Sequence, residues 1–182
     1  MRIDLMGRKH NNEEVLGFLP LCDEHRFIVA GGEVIWIGDN GEKVDNPNIT
    51  SISDHAFAYC DEIQKIVIPN NVTSIGRYAF YNCNGIKSVT IPNSVTSIGS
   101  YAFDSCRGLT SVAIPSSVMI IGQKAFSNCS GLESVTIPSS VISIGTSAFD
   151  GYLGTKLKSV KVPKECQIGK FAFPYGCAVQ YY

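Results

Sequence analysis

The 182-residue chain has no apolar run approaching the roughly 18 to 20 residues of a bilayer-spanning helix, so no membrane insertion is expected. Neither sign of charge dominates. Fifteen Lys and Arg stand against sixteen Asp and Glu, for a formal net charge of −1. With no basic run to neutralise successive phosphates, the sequence argues against a nucleic-acid partner. The opening residues also lack the apolar core, about 7 to 15 residues long, of a secretory signal. That points to a chain working inside a cell, or to one whose export signal has been removed. Histidine is scarce, with His10, His25 and His55 all in or next to the N-terminal segment. Cys22 and His25 have a C-x-x-H spacing, but no second pair with zinc-site spacing accompanies them. The G-x-S-x-G, P-loop and H-E-x-x-H patterns are absent. The carboxylate pairs Glu13 with Glu14 and Asp61 with Glu62 fall in stretches expected to be solvated. The reading is therefore a non-catalytic protein with no metal and no cofactor.

What the sequence does hold is a period. Ala-Phe recurs at Ala56 and Phe57, Ala79 and Phe80, Ala102 and Phe103, Ala125 and Phe126, Ala148 and Phe149, and Ala172 and Phe173, in steps of 23, 23, 23, 23 and 24 residues. A unit this short cannot bury its own apolar side and must stack on copies of itself. Leu109, Val112 and Ile114 show the spacing of a short strand whose last two apolar residues point inward, with Ser111 and Ala113 outward. Proline closes that strand at Pro69, Pro92, Pro115, Pro138 and Pro163, because it has no amide to continue a ladder. Asn71, Ser94, Ser117 and Ser140 follow, placed to hydrogen-bond backbone at the bend. Val118 and Ile121, with their counterparts, line a second wall before Gly76, Gly99, Gly122 and Gly145, read as turn residues.

The same phase sorts the seven cysteines. Cys60, Cys83, Cys106 and Cys129 each fall three residues after a Phe, in a column with Phe57, Phe80, Phe103, Phe126, Phe149 and Phe173. Free thiols in small buried slots are the simplest account. Strand spacing alone does not forbid bridges between neighbouring coils. Cys22, Cys166 and Cys177 lie outside the column.

Residues 1–46 do not repeat and are expected to cap the array, with residues 47–182 forming the solenoid. Asn11, Asn12, Glu13 and Glu14 before an apolar run predict a short helix ending before Pro20. Two β-rich stretches around Gly31 and Gly32 predict a hairpin, with Trp36 and Ile37 against the first turn. Residues 151–154 are expected to loop out, and residues 178–182 to form a terminal strand.

The composite Cys-x-x-Leu-x-Ser-Val-Thr-Ile-Pro-x-Ser-Val-x-Ser-Ile-Gly-x-x-Ala-Phe, read from Cys83 to Phe103 and again from Cys129 to Phe149, closely resembles the BspA-like leucine-rich repeats. The match spans about residues 47–177. The resemblance implies a right-handed leucine-rich-repeat β-solenoid of 23-residue coils, with parallel strands joined by short turns or 3-10 segments. It also implies a cell-surface or secreted setting, with adhesion or protein binding as the role.

Two outward columns are candidate contact surfaces. Ser88, Thr90, Ser111, Ser134 and Thr136 lie on the strand face; this small polar column equally serves solubility without any ligand. Just before each Ala-Phe, His55, Tyr78, Tyr101, Lys124, Ser147 and Phe171 share a column, flanked by Tyr59 and Tyr81. These aromatics read either as interface anchors or as side chains packed along a flank. The expected role is protein–protein recognition as a monomer, or alternatively a structural subunit docking through a solenoid edge or the tyrosine flank.

Overall fold

A computed structural model describes residues 2–3, 9–10, 26–30, 33–37, 49–152 and 154–182, with side chains from residue 49 onward. The helix expected over residues 11–19 and the packing of Trp36 and Ile37 lie outside what is described. Among the described residues there is no helix.

The N-terminal elements are β1 (Arg2–Ile3), β2 (Lys9–His10), β3 (Arg26–Ala30) and β4 (Glu33–Ile37). β1 and β2 pair antiparallel, as do β3 and β4, the latter in the register Arg26 to Ile37 that a two-residue glycine turn produces.

From residue 49 each coil contributes a two-residue strand to one wall and a longer strand to another. The short strands are β5 (Ser51–Ile52), β7 (Ser74–Ile75), β9 (Ser97–Ile98), β11 (Ile120–Ile121), β13 (Ser143–Ile144) and β15 (Gln167–Ile168). They form one six-stranded parallel sheet, each paired with the strand one coil away. The longer strands are β6 (Lys65–Val67), β8 (Ser88–Thr90), β10 (Ser111–Ala113), β12 (Ser134–Thr136), β14 (Ser159–Val162) and β16 (Ala178–Tyr181). That wall is two four-stranded sheets, β3-β4-β6-β8 and β10-β12-β14-β16, so the N-terminal hairpin extends it at one end.

In-register pairing of Ser111 with Ser134 and Val112 with Val135 puts like residues over like. The wall residues alternate, with Val112 buried between exposed Ser111 and Ala113. Continuous interior columns follow: Phe57, Phe80, Phe103, Phe126 and Phe149 are almost wholly buried, and each ring stacks on the next at 4.9–5.2 Å. Phe173 ends the stack, half-buried and 5.5 Å from Phe149. The bend hydroxyls reach across coils: Ser94, Ser117 and Ser140 donate to the carbonyls of Val72, Val95 and Val118.

The turn glycines serve a different need from the one their position implies. None of Gly76, Gly99, Gly122 and Gly145 has a positive φ; what they permit is close approach, since a Cβ on Gly99 would lie 2.7 Å from the carbonyl carbon of Gly76. The left-handed positions are taken instead by larger residues at the Ala-Phe corner: His55, Tyr78, Tyr101, Lys124, Ser147 and Phe171, and again Tyr59, Asn82, Ser105 and Asn128. The corner's hydrogen bonds explain how these are held. Alternate amides bond within the coil, as Ala102 does to Gly99, while those between them bond forward to the next coil, as Tyr101 does to Gln123 and Phe103 to Ala125. Each left-handed residue is thereby fixed on both sides by obligatory backbone pairing.

Candidate recognition surface

The corner flank is where the sequence departs most from small polar residues, and the backbone just described sets its geometry. The left-handed φ of Tyr78 and Tyr101 turns their side chains out of the core, while the following Ala-Phe turns in. Because the corner repeats in register, the outward rings stack. His55 lies 4.8 Å from Tyr78 with planes 11° apart, and Tyr78 lies 4.6 Å from Tyr101 at 17°. Tyr81 meets Tyr78 edge-on at 5.5 Å, and Tyr59 meets Tyr81 edge-on at 5.2 Å. The Lys124 ammonium caps the far end, 5.5 Å from the Tyr101 centroid, and the Arg77 guanidinium lies 5.6 Å from that of Tyr78. Five rings and two cations thus form one patch, with Tyr59 56 % exposed.

Its chemistry follows from what the rings already touch. Faces are covered by neighbouring rings or by a cation, so the patch offers ring edges and phenolic hydroxyls rather than open faces on which a sugar or base would stack. Burial and the neighbouring Tyr59 phenol hold the Tyr81 hydroxyl above its usual range, so it remains a neutral donor and acceptor. Beside it the largely buried Asp104 accepts from Asn128 Nδ2 at 3.1 Å and from the Ser105 hydroxyl at 3.2 Å. Burial raises the Asp104 carboxyl despite those bonds.

The other sequence candidates lie elsewhere. Phe171 is 74 % exposed but is separated from the tyrosines by Lys124 and Ser147 in its column. Ser88, Thr90, Ser111, Ser134 and Thr136 are all exposed on β8, β10 and β12, on a wall and not at the corner. Cys83, Cys106 and Cys129 are buried, each donating its S–H to the carbonyl of the Phe one coil back, Phe57, Phe80 and Phe103, at 2.9–3.1 Å. Cys60 is half-buried, and none of the six described cysteines is in a disulfide. Among the described residues no three His, Cys, Asp or Glu are grouped to hold a metal; Cys22 and His25 lie outside them.

One surface was missed. Met119, Ile120 and Ile142 are each 46–58 % exposed on the outer side of the two-residue-strand wall, where earlier coils carry Thr73, Thr96, Ser74 and Ser97. The signal was present as a break in the Thr-Ser-Ile repeat at Met119, Ile120 and Ile121.

Stacked parallel coils with interior phenylalanine, cysteine and aliphatic columns define a leucine-rich-repeat solenoid. The chain belongs to the BspA type leucine rich repeat family, whose model matches residues 50–179 in six copies. Among solved structures, it is similar to a leucine-rich repeat protein of T. pallidum, at 21 % identity and TM-score 0.63, with 86 % of this chain and 83 % of that one covered. It is also similar to a leucine-rich cell surface protein of Faecalibacterium prausnitzii, at 25 % identity and TM-score 0.53, covering 92 % of this chain and 53 % of the other. The pneumococcal vaccine antigen PcpA shares the fold at 14 % identity and TM-score 0.58, with 81 % and 46 % covered. The chain thus spans about half the length of the last two. No curated protein matches it. Membership of this family makes the chain a repeat scaffold of a kind that typically binds rather than catalyses. Among the described residues, no helix is long and apolar enough to cross a membrane.

Proposed function

We propose that the chain is a non-catalytic protein-recognition module that makes contact through the flank of Tyr59, Tyr78, Tyr81 and Tyr101, with His55 and Lys124 at its ends. The observation that carries this reading is the aromatic stack itself. It lies outside a core already filled by phenylalanine, on backbone that puts bulky residues where L-residues are disfavoured. Rigid tyrosines with covered faces and free edges are favourable protein-contact groups, because little side-chain entropy is lost on binding. The exposed Met119, Ile120 and Ile142 add an aliphatic surface that also suits protein. Adhesion or host contact is the finer form of this role, supported by the named surface protein of Faecalibacterium prausnitzii among the structural relatives. Residues 1–46 act as the cap of the array and residues 47–182 as its binding body.

The test uses the intact chain as bait, wild type beside Tyr78→Gly with Tyr101→Gly. Glycine removes the rings and accepts the left-handed φ. We expect loss of the captured partner, with unfolding temperature within a few degrees of wild type because two lost ring contacts are offset by relieved backbone. Equal capture by both chains would overturn the reading. A large fall in unfolding temperature would assign the tyrosines to packing.

A second reading, a structural subunit docking by its solenoid edge, is favoured by the last coil, whose strands β15 and β16 each pair on one side only among the described residues.

A further inference from the structure

The last coil leaves the same backbone ladders unfinished on every side. β16 pairs only with β14, and β15 only with β13, among the described residues. At the corner, the amides of Phe57, Phe80, Phe103, Phe126 and Phe149 each donate forward to an alanine carbonyl, but those of Phe171 and Phe173 meet no acceptor among the described residues. In β16 the amides of Ala178 and Tyr182 turn inward, to Lys158 and Val162, so the alternation of the ladder leaves the polar groups of Val179 and Tyr181 facing outward. Proteins usually blunt such an edge with charge, proline or a bulge. The β16 sequence Ala178, Val179, Gln180, Tyr181 carries no charge and no proline. Around it stand exposed Phe171, Tyr175 and Tyr181.

The opposite end is complementary in both backbone and charge. β3 is the outermost strand of the β3-β4-β6-β8 sheet and, among the described residues, pairs only with β4. It has five residues to β16's four, with the β-favouring run Phe27, Ile28, Val29. β4 runs parallel to the solenoid strands and β3 antiparallel to β4, so a β3 edge laid on a β16 edge forms an antiparallel pair. Residues 1–64 carry twelve Asp and Glu against five Lys and Arg, whereas residues 154–182 carry five lysines against Glu165 alone. The chain is acidic at one end of the stack and basic at the other.

We propose that the C-terminal coil is a docking edge for the N-terminal end of a second copy of this chain, β16 of one pairing with β3 of the next. The inference rests on the subunit reading and is independent of the tyrosine flank. Because the two surfaces differ, the contact is heterologous: each copy keeps one free edge, and association proceeds head to tail without closing at a dimer. Opposed charge steers and orients the ends, so the association weakens with salt.

Sedimentation of the 182-residue chain over a concentration series at low and high salt tests this. We expect the average mass to rise above the 19.7 kDa of one chain with concentration, without a plateau at two, and to fall back at high salt. Tyr181→Pro removes an outward amide while leaving the inward ladder to β14, and should weaken association roughly tenfold or more with the circular dichroism spectrum kept. Mixed into wild type, Tyr181→Pro chains should lower the average mass, since they still offer a head but no tail. Lys161→Glu with Lys164→Glu should weaken association in the same direction. A single-chain mass throughout, a plateau at two, or association indifferent to Tyr181→Pro would each overturn the proposal. A single-chain mass alone would leave the subunit reading standing, because a foreign partner at this edge still shows as Tyr181-dependent capture by the intact chain.

Discussion

The ring of Phe80 lies over that of Phe103, centroids 4.9 Å apart and planes 7° apart, at the centre of a stack that runs through six coils. Phe103 touches Phe126 in the same way at 5.2 Å, so its loss opens a cavity bordered by two neighbouring coils. Phe103→Ala should therefore destabilise the chain by about 3–5 kcal/mol. Phe173→Ala, at the half-buried end of the stack, should cost clearly less. Chemical denaturation of the two variants side by side checks this.

Two glycine substitutions separate close approach from backbone handedness. Gly99→Ala forces a Cβ to within 2.7 Å of the Gly76 backbone and should destabilise by at least about 2–3 kcal/mol, since the coils must part. Gly154→Ala places its methyl in open space at φ +76°, so only the left-handed penalty of about 1–2 kcal/mol applies. Equal losses in thermal unfolding would contradict the packing argument.

The thiols of Cys83, Cys106 and Cys129 are pushed upward by burial. Protons are therefore held more tightly folded than unfolded. Stability contributed by these groups is present below the usual thiol range and is lost as pH rises through and above it. In a native-state reaction with a thiol reagent at neutral pH, these three cysteines should be modified only as fast as the chain unfolds. Half-buried Cys60 and Cys177 should react ahead of them. Peptide mapping of the modified sites gives the order.

Asp104 obeys the same sign at lower pH. Burial raises its carboxyl, so the folded chain binds the proton more readily, and stability falls as pH climbs from the usual carboxylate range through the raised value. Asp104→Asn should raise the unfolding temperature at neutral pH and flatten its slope in that window. An unchanged slope would place the titration elsewhere.

The period of 23 was enough to read the solenoid, because a residue that returns in phase has no place to go but a column. The phenylalanines, the alternation of Ser111, Val112 and Ala113, the terminal strand and the glycine hairpin are all visible in the sequence on that ground. The second sheet was less visible, since two-residue strands such as Ser97–Ile98 are too short to show an alternation. The role of Gly99 was misread because a conserved phase does not distinguish a turn from a close contact, and the left-handed residues proved to be Tyr78, Tyr101 and Lys124. Ring stacking on the flank depends on side-chain direction at those positions, which spacing alone does not give. The patch of Met119, Ile120 and Ile142 was legible only as a departure from the repeat.

The central claim is that successive coils lie in register, each closing the ladder of the one before. Hydrogen exchange of the phenylalanine amides, measured on dilute protein at high salt, tests it most directly. The account predicts that Phe80, Phe103 and Phe126, bonded forward to Ala102, Ala125 and Ala148, are among the slowest to exchange, and that Phe173, with no coil beyond it among the described residues, is fast. Fast exchange at Phe103, or protection of Phe173 equal to that of Phe103, would contradict it.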